Sequence, residues 1–326
     1  VPRKASWLCS NGKKGREAML WGDKRYFSLK YYLRKRFPGK IKKIAIDAGF
    51  TCPNRDGTLG YGGCIFCSGK GSGDTGGSRE MPIEEQIARG MAYHENRYGI
   101  RQFIVYFQAF TNTHGDPGYL RKLYEKAIQD DRVVALSIAT RPDCLGPEIL
   151  DVLDEVNRKK PLWVELGLQT IHVRTAELIG RRFDLPCFDQ AVWNLKNRGI
   201  EVICHTILGL PGETPQDMIE TARYVSRSGV QGIKLQLLHV LEGTALADMY
   251  QRGEFPLMER EAYVKTVVDC LEVLSPDIVI HRLTGDGPRD ILLGPLWSLD
   301  KIGVLQDIDR ELVWRDSWQG KYHQQV

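Results

Sequence analysis

Short apolar runs recur along the chain at Ile44–Asp47, Phe103–Gln108, Val133–Ala139, Leu162–Leu166, Val202–Leu208, Gly232–Leu238 and Ile278–His281. Each is too short for a helix, so each predicts a buried strand. Between them, Ile83–Tyr98, Tyr119–Gln129, Pro147–Asn157, Phe188–Asn197 and Pro215–Ser228 place apolar residues at helical spacing and predict amphipathic helices. Past the first, successive strands lie about thirty to forty residues apart, the βα repetition that puts a parallel sheet beneath helices. Six regular units and a divergent tail predict an α/β fold, a partial TIM-type (β/α)6 barrel. Ahead of the repeats, apolar residues at 29, 32, 33 and 37 predict an amphipathic helix ended by Pro38-Gly39.

Composition agrees with a packed core. The chain has 326 residues, 42% of them hydrophobic and 26% charged, which excludes disordered and collagen-like classes. No apolar run approaches the roughly 18 residues of a membrane-spanning helix. The first stretch lacks the apolar core of a secretory signal, so a cytoplasmic location is expected.

The net charge of +4 conceals a polarity. Residues 1–18 carry five basic groups and one acid, and are expected to be a leader or disordered tail outside the fold. Residues 19–46 carry nine basic groups and only Asp23, so the remainder is acidic. A basic, aromatic segment on an acidic body is a footprint for a polyanion, or simply a solvated helix face. The expected organisation is a leader at 1–18, a basic extension at 19–42, a barrel core at 43–275 and a C-terminal segment at 276–326 packed on the barrel.

Eight cysteines are present, and Cys52, Cys64 and Cys67 crowd into the loop after the first strand. Loops at the carboxyl ends of parallel strands are where such folds build active sites. Without a secretory signal the cysteines are expected to be thiols or metal ligands. Two thiolates two residues apart chelate one centre, and a third reaches in across a glycine-rich loop. Three cysteines leave one iron of a cubane 4Fe–4S cluster without a protein ligand, whereas structural zinc asks for four. Zinc or plain thiols stay open as alternatives. The other five cysteines are expected to be mostly small core residues.

This loop, CPNRDGTLGYGGCIFCS, resembles the cluster loop of the radical S-adenosylmethionine (SAM) superfamily, with a cysteine spacing similar to its elongator-like branch. YFQAFTNT, SIATRPDCL, VELGLQT, HTILGLPGET, KLQLLHVLEGTALA and HRLTGDGPRDILLGPLWSLDK resemble the family typified by the YhcC and YtqA proteins, from Gly22 to about Leu312. The resemblance implies a radical SAM barrel with a helical N-terminal extension and a C-terminal segment over its mouth. It also implies a 4Fe–4S cluster on Cys52, Cys64 and Cys67, SAM on the open iron, and an electron donor such as flavodoxin or ferredoxin. One electron would break the C5′–S bond of SAM and give a 5′-deoxyadenosyl radical that takes hydrogen from substrate.

Strand-end residues are the candidates for SAM. Gln108 stands where the superfamily often has Gly-Gly-Glu, so it and backbone carbonyls are expected to hold the amino group. Ser137 and Arg141 end the third strand, with Arg141 a partner for the SAM carboxylate or a substrate phosphate. Glu165 and Gln169 flank the fourth strand end; Glu165 is expected on the SAM ribose or amino group, or else paired with Arg141 or Arg181. Arg181 is a second carboxylate candidate. Gly209 and Pro211 resemble the adenine-contacting stretch, and Glu213 would sit at a helix start. Lys234, Gln236, His239 and Arg282 are substrate candidates if their face is the barrel interior. Arg34, Lys35 and Arg36 are candidates for RNA phosphates.

The resulting expectation is a radical SAM enzyme acting on a tRNA nucleotide, specifically the C5 side chain of wobble uridine. A radical SAM enzyme on a small metabolite is one alternative. A non-catalytic, metal-bearing RNA-binding module is the other.

Overall fold

The computed structural model describes residues 19–71, 77–285 and 287–323. The expected leader at 1–18, with Cys9, lies outside them. The elements run α1 (Leu29–Arg36), β1 (Ile41–Ile46), α2 (Ile83–Tyr98), β2 (Gln102–Phe107), α3 (Pro117–Ala127), β3 (Val133–Thr140) and α4 (Pro147–Lys159). Next come β4 (Leu162–Gln169), α5 (Val173–Leu178), α6 (Leu185–Asn197), β5 (Glu201–Leu208), α7 (Pro215–Ser228) and β6 (Gly232–Leu237). The chain ends with β7 (Val240–Leu241), α8 (Ala245–Gln251), α9 (Arg260–Val273), β8 (Val279–Arg282), β9 (Leu292–Gly294) and α10 (Lys301–Trp314).

Seven parallel strands form one open sheet in the order β1-β2-β3-β4-β5-β6-β8. The partial barrel therefore has one more strand than the six regular units predicted. That strand, β8, belongs to the 276–326 segment, which contributes to the sheet as well as packing on it. Helices begin where their caps dictate. The Asp116 carboxylate accepts from the Tyr119 amide and the Asp184 carboxylate from the Cys187 amide, each with a proline in the first turn. These caps start α3 and α6 earlier than apolar periodicity alone does. At α7 Thr214 and Asp217 form a capping box, so Asp217, not Glu213, is the acid at that helix start.

Period-two alternation sorts each strand into two faces. Outward residues such as Phe103, Phe107, Leu136, Val164, Val202 and Leu235 join Met91, Tyr124, Leu153 and Phe188 of the helices in the main core. Inward residues form layers. The lowest is apolar: Ile104, Ala135, Trp163 and Ile203, covered by Leu29, Tyr32, Leu33 and Phe37. Helix α1 thus closes the amino-terminal end of the barrel. The chain just before it joins the edge of β8, where the Ile280 amide donates to the Phe27 carbonyl at 2.7 Å. That pairing covers an otherwise exposed strand edge.

Candidate functional site

Cys52 follows β1, and the loop carrying Cys64 and Cys67 lies over the carboxyl ends of the strands. The loop folds on its own polar groups. The amides of Arg55 and Gly63 donate to the carbonyls of Cys52 (2.7 Å) and Asn54 (2.9 Å), and the Cys67 amide donates to the Cys64 carbonyl at 3.0 Å. The Asn54 side-chain amide, wholly buried, donates to the Cys64 Sγ at 3.4 Å and to the Gly180 carbonyl at 2.8 Å. The Arg55 guanidinium donates to the carbonyls of Cys67 (2.9 Å) and Ser68 (2.8 Å). Gly63 sits at φ +84°, and a Cβ there would meet the Arg55 guanidinium at 2.7 Å. Asn54 and Arg55 were not among the candidates, although both lie inside the CPNRDG phrase that marked the loop. An Asn54→Leu protein is expected to stay folded yet retain less iron after anaerobic reconstitution, measured as iron per chain beside its Tm. Its buried bond to sulfur is lost without a replacement.

The three cysteines line one cavity of about 280 Å³ at the barrel mouth. Gln108, Arg141, Glu165, Gln169, Arg181, Lys234, Gln236, His239 and Arg282 line it too, so the Lys234–Gln236 face is the barrel interior. Ser137 is buried one step behind, donating to Glu165 at 2.6 Å. Gly209 and Pro211 follow β5 but are not among the lining residues. Arg34, Lys35 and Arg36 are on α1 at the opposite end, roughly 20 Å away along a six-residue strand at about 3.3 Å per residue.

The arginines at the mouth have partners. Arg141 makes a two-pronged pair with Asp143 (2.9 and 2.7 Å) and reaches the Arg181 carbonyl. Arg181 donates to the carbonyls of Leu168, Thr170 and Phe183, and lies 4.6 Å from the centre of the Phe183 ring. It clamps the turn after β4. Neither arginine pairs with Glu165, which was the alternative to its SAM contact, because Glu165 lies one layer deeper and its partners come from around the barrel.

That layer takes one polar side chain from every strand of the sheet: Lys43, Tyr106, Ser137, Glu165, His205, Lys234 and Arg282. Glu165 is wholly buried. Its Oε1 accepts from the Lys43 ammonium (2.8 Å) and Ser137; its Oε2 accepts from His205 Nε2 (2.6 Å) and the Lys234 ammonium. Burial alone would raise the Glu165 pKa, but the two lysines and the His205 hydrogen bond hold it well below the usual carboxylate range. Burial, opposed by Glu165, pushes Lys234 down to about 7. Burial and the Lys234 charge lower His205 to about 4, so it is neutral at pH 7. Lys43 was not foreseen; β1 reads IKKIAI, and nothing in it separates the inward Lys43 from the exposed Lys42 beside it.

Lys234 carries a pH signature. Its folded value, about 7, lies below the ordinary 10.5, so between those pH values the unfolded chain binds the extra proton. Stability contributed by this group therefore rises with pH across that window and is level below it. Urea midpoints of the wild type minus those of Lys234→Met, taken from pH 6 to pH 10, should show that slope.

The donor set tests the expected metal group. Among the described residues, only His172, Asp217 and Glu220 form a trio of metal-ligating side chains whose ligand atoms all lie within 4.8 Å. Cys52, Cys64 and Cys67 instead bring three thiols to one cavity, one short of the four ligands of structural zinc and the number that leaves one iron of a cubane without a protein ligand. Burial, with Cys67 adding to it, pushes the Cys64 thiol up to about 12, so a thiolate there depends on bound positive charge. No described cysteine is in a disulfide. Cys204 and Cys270 are buried core residues, while Cys144 and Cys187 are only half-buried.

Comparison with known proteins bears on all of this. Residues 52–225 match the family model "Radical SAM superfamily", and 230–313 match "Radical_SAM C-terminal domain". The chain is 46% identical over 304 residues to the uncharacterized protein YtqA of Bacillus subtilis (strain 168), covering 93% of this chain and 94% of that one. It is 28% identical over 182 residues to a tRNA uridine(34) acetyltransferase of Dehalococcoides mccartyi (strain CBDB1), covering 55% of this chain and 39% of that protein. Its fold is like that of an archaeal Elp3 from Methanocaldococcus infernus (TM-score 0.66, 16% identity, 86% of this chain and 64% of that one).

The superfamily uses a 4Fe–4S cluster and SAM. Cys52, Cys64 and Cys67 are the residues that would hold the cluster, steadied by Asn54 and Arg55. Bound there, the two groups supply hydrogen-atom abstraction by a carbon-centred radical. The apolar base under α1 closes the barrel at the end opposite the three cysteines. No helix among the described residues is long and apolar enough to cross a membrane. With its three-thiol loop at the mouth of an open parallel barrel, the chain belongs to the radical SAM superfamily of enzymes, in the elongator-like branch and the group that contains YtqA.

Proposed function

We propose that this radical SAM enzyme modifies a nucleotide of tRNA, remodelling the C5 side chain of wobble uridine, with electrons from a flavodoxin or ferredoxin. The observation that carries the reading is the sequence similarity to a tRNA uridine(34) acetyltransferase over 55% of this chain. The surface supplies a second support. Lys30, Arg34, Lys35, Lys40 and Lys42 are exposed at the α1 end with no acidic partner among the described residues. The rest of the basic extension is paired with acids elsewhere in the chain, Lys24 with Asp309, Arg25 with Asp316 and Arg36 with Glu201, as Lys43 of β1 is with Glu165. Arg36 is thus already held by Glu201 and Tyr32.

The test is anaerobic reconstitution with iron, sulfide, SAM and dithionite, with and without bulk tRNA. Formation of 5′-deoxyadenosine together with a changed wobble nucleoside supports the proposal. Unchanged nucleosides in tRNA from a deletion strain refute it. Reversing Lys30, Arg34 and Lys35 to Glu should weaken tRNA binding at low salt and flatten its salt dependence by about two to three ion equivalents. Equal binding by the variant would remove the α1 surface from the account. The distance between α1 and the cavity favours one rival, a small metabolite bound wholly within the barrel. That rival predicts no tRNA binding at low salt.

A further inference from the structure

We propose that the polar layer inside the barrel is a receptor for an anionic group of the substrate, a carboxylate or a phosphate, taken by Arg282 and Lys234. The inference deepens the proposed function, since it rests on this cavity being the substrate site. Its basis is an imbalance of charge. Among the described residues, Lys43, Lys234 and Arg282 bring three cations to the layer, and Glu165 is its one carboxylate. Glu165 has no capacity left. Both its oxygens already accept two donors each, which fills the roughly four lone-pair sites of a carboxylate.

Arg282, at the end of β8, lines the cavity and makes no hydrogen bond or ion pair among the described residues. A guanidinium carries five N–H donors in a fork that matches carboxylate and phosphate oxygens. Partly enclosed and without an anion, it is an incomplete pair. Lys234, only 5% exposed, spends two donors on Glu165 and on the Tyr106 hydroxyl (3.3 Å), and one N–H remains. The two cations are neighbours, since Lys234 and Arg282 are register partners of adjacent strands. Both line the cavity that holds Cys52, Cys64 and Cys67. Lys234 is two residues below Gln236, about 7 Å deeper along the strand. An anion set on this floor would anchor one end of a substrate while its reacting carbon faces the mouth.

The test uses the reconstituted protein with SAM bound, and equilibrium binding of matched probes to wild type, Arg282→Gln and Arg282→Lys. 5-Carboxymethyluridine against its neutral amide reads a base-borne carboxylate; uridine 5′-monophosphate against uridine reads a phosphate. Inorganic phosphate and acetate, followed by shifts in Tm, read the floor without any uridine. The expected result is roughly ten-fold tighter binding of one charged probe than of its neutral partner. Arg282→Gln should abolish that gap and leave the neutral probe unchanged, and Arg282→Lys should restore part of it. Equal binding of charged and neutral partners by the wild type would overturn the inference. So would a gap that survives Arg282→Gln, or an equal loss of SAM affinity in that variant. If no nucleoside binds but inorganic phosphate or acetate still stabilises the protein through Arg282, the uridine reading fails and the anion floor stands. If no inorganic anion stabilises it either, the floor fails as well.

Discussion

A Glu165→Gln protein is expected to lose about 3–5 kcal/mol of stability, because removing one partner of a buried ion pair strands the other. Here two ammonium groups are stranded at once, Lys43 and Lys234, and His205 loses its acceptor. The loss depends on pH. Burial already holds Lys234 down to about 7, and without the carboxylate it gives up its proton at lower pH still. The deficit relative to wild type therefore grows as pH falls below 7 and shrinks toward pH 9. A Glu165→Gln/Lys234→Met double variant should recover part of the loss, since a buried pair replaced by uncharged groups is often near neutral. Urea unfolding of the wild type, both single variants and the double at pH 6 and pH 9 measures this. Additive losses would show that the pair is not a unit.

The second large effect is chemical. Cys64→Ala, reconstituted anaerobically, is expected to lose the brown iron–sulfur absorbance and all 5′-deoxyadenosine formation. Cys64 is tied to its surroundings: it accepts from Asn54 and lies against the Gly180 carbonyl. Two remaining thiols leave two corners of a cubane unheld. Cys144→Ala and Cys187→Ala are the matched controls. Both residues are half-buried near the mouth, with Cys144 close enough to Cys52 to feel its charge. Full iron content in these controls, and its collapse in Cys64→Ala, assigns the cluster to the loop. A chromophore that survives Cys64→Ala contradicts the assignment.

Much of the barrel was legible because its signals are local. α2 and α7 span Ile83–Tyr98 and Pro215–Ser228 as their periodicity predicts, and every predicted strand is present within a few residues. The cysteine loop was equally plain, being three ligands in one short segment. What sequence hid was contact across the barrel. Glu165 meets Lys43 and Lys234 from strands 122 and 69 residues away, and nothing in local pattern specifies which inward positions share a layer. The basic segment was only partly legible for the same reason. Lys24, Arg25, Arg36 and Lys43 find acids of the body once the chain wraps the barrel base, while Lys30, Arg34, Lys35, Lys40 and Lys42 stay exposed. The seventh strand was legible at Ile278–His281, but its membership of the same sheet was not. That follows from register with β6 and from the edge pairing at Phe27.

The most direct test of the central claim is Mössbauer spectroscopy of the protein reconstituted with ⁵⁷Fe, recorded without and with SAM. Three thiolate anchors predict one iron site distinct from the other three, whose isomer shift moves when SAM is added. Four irons that ignore SAM, or a protein that takes up zinc and no iron, would contradict it.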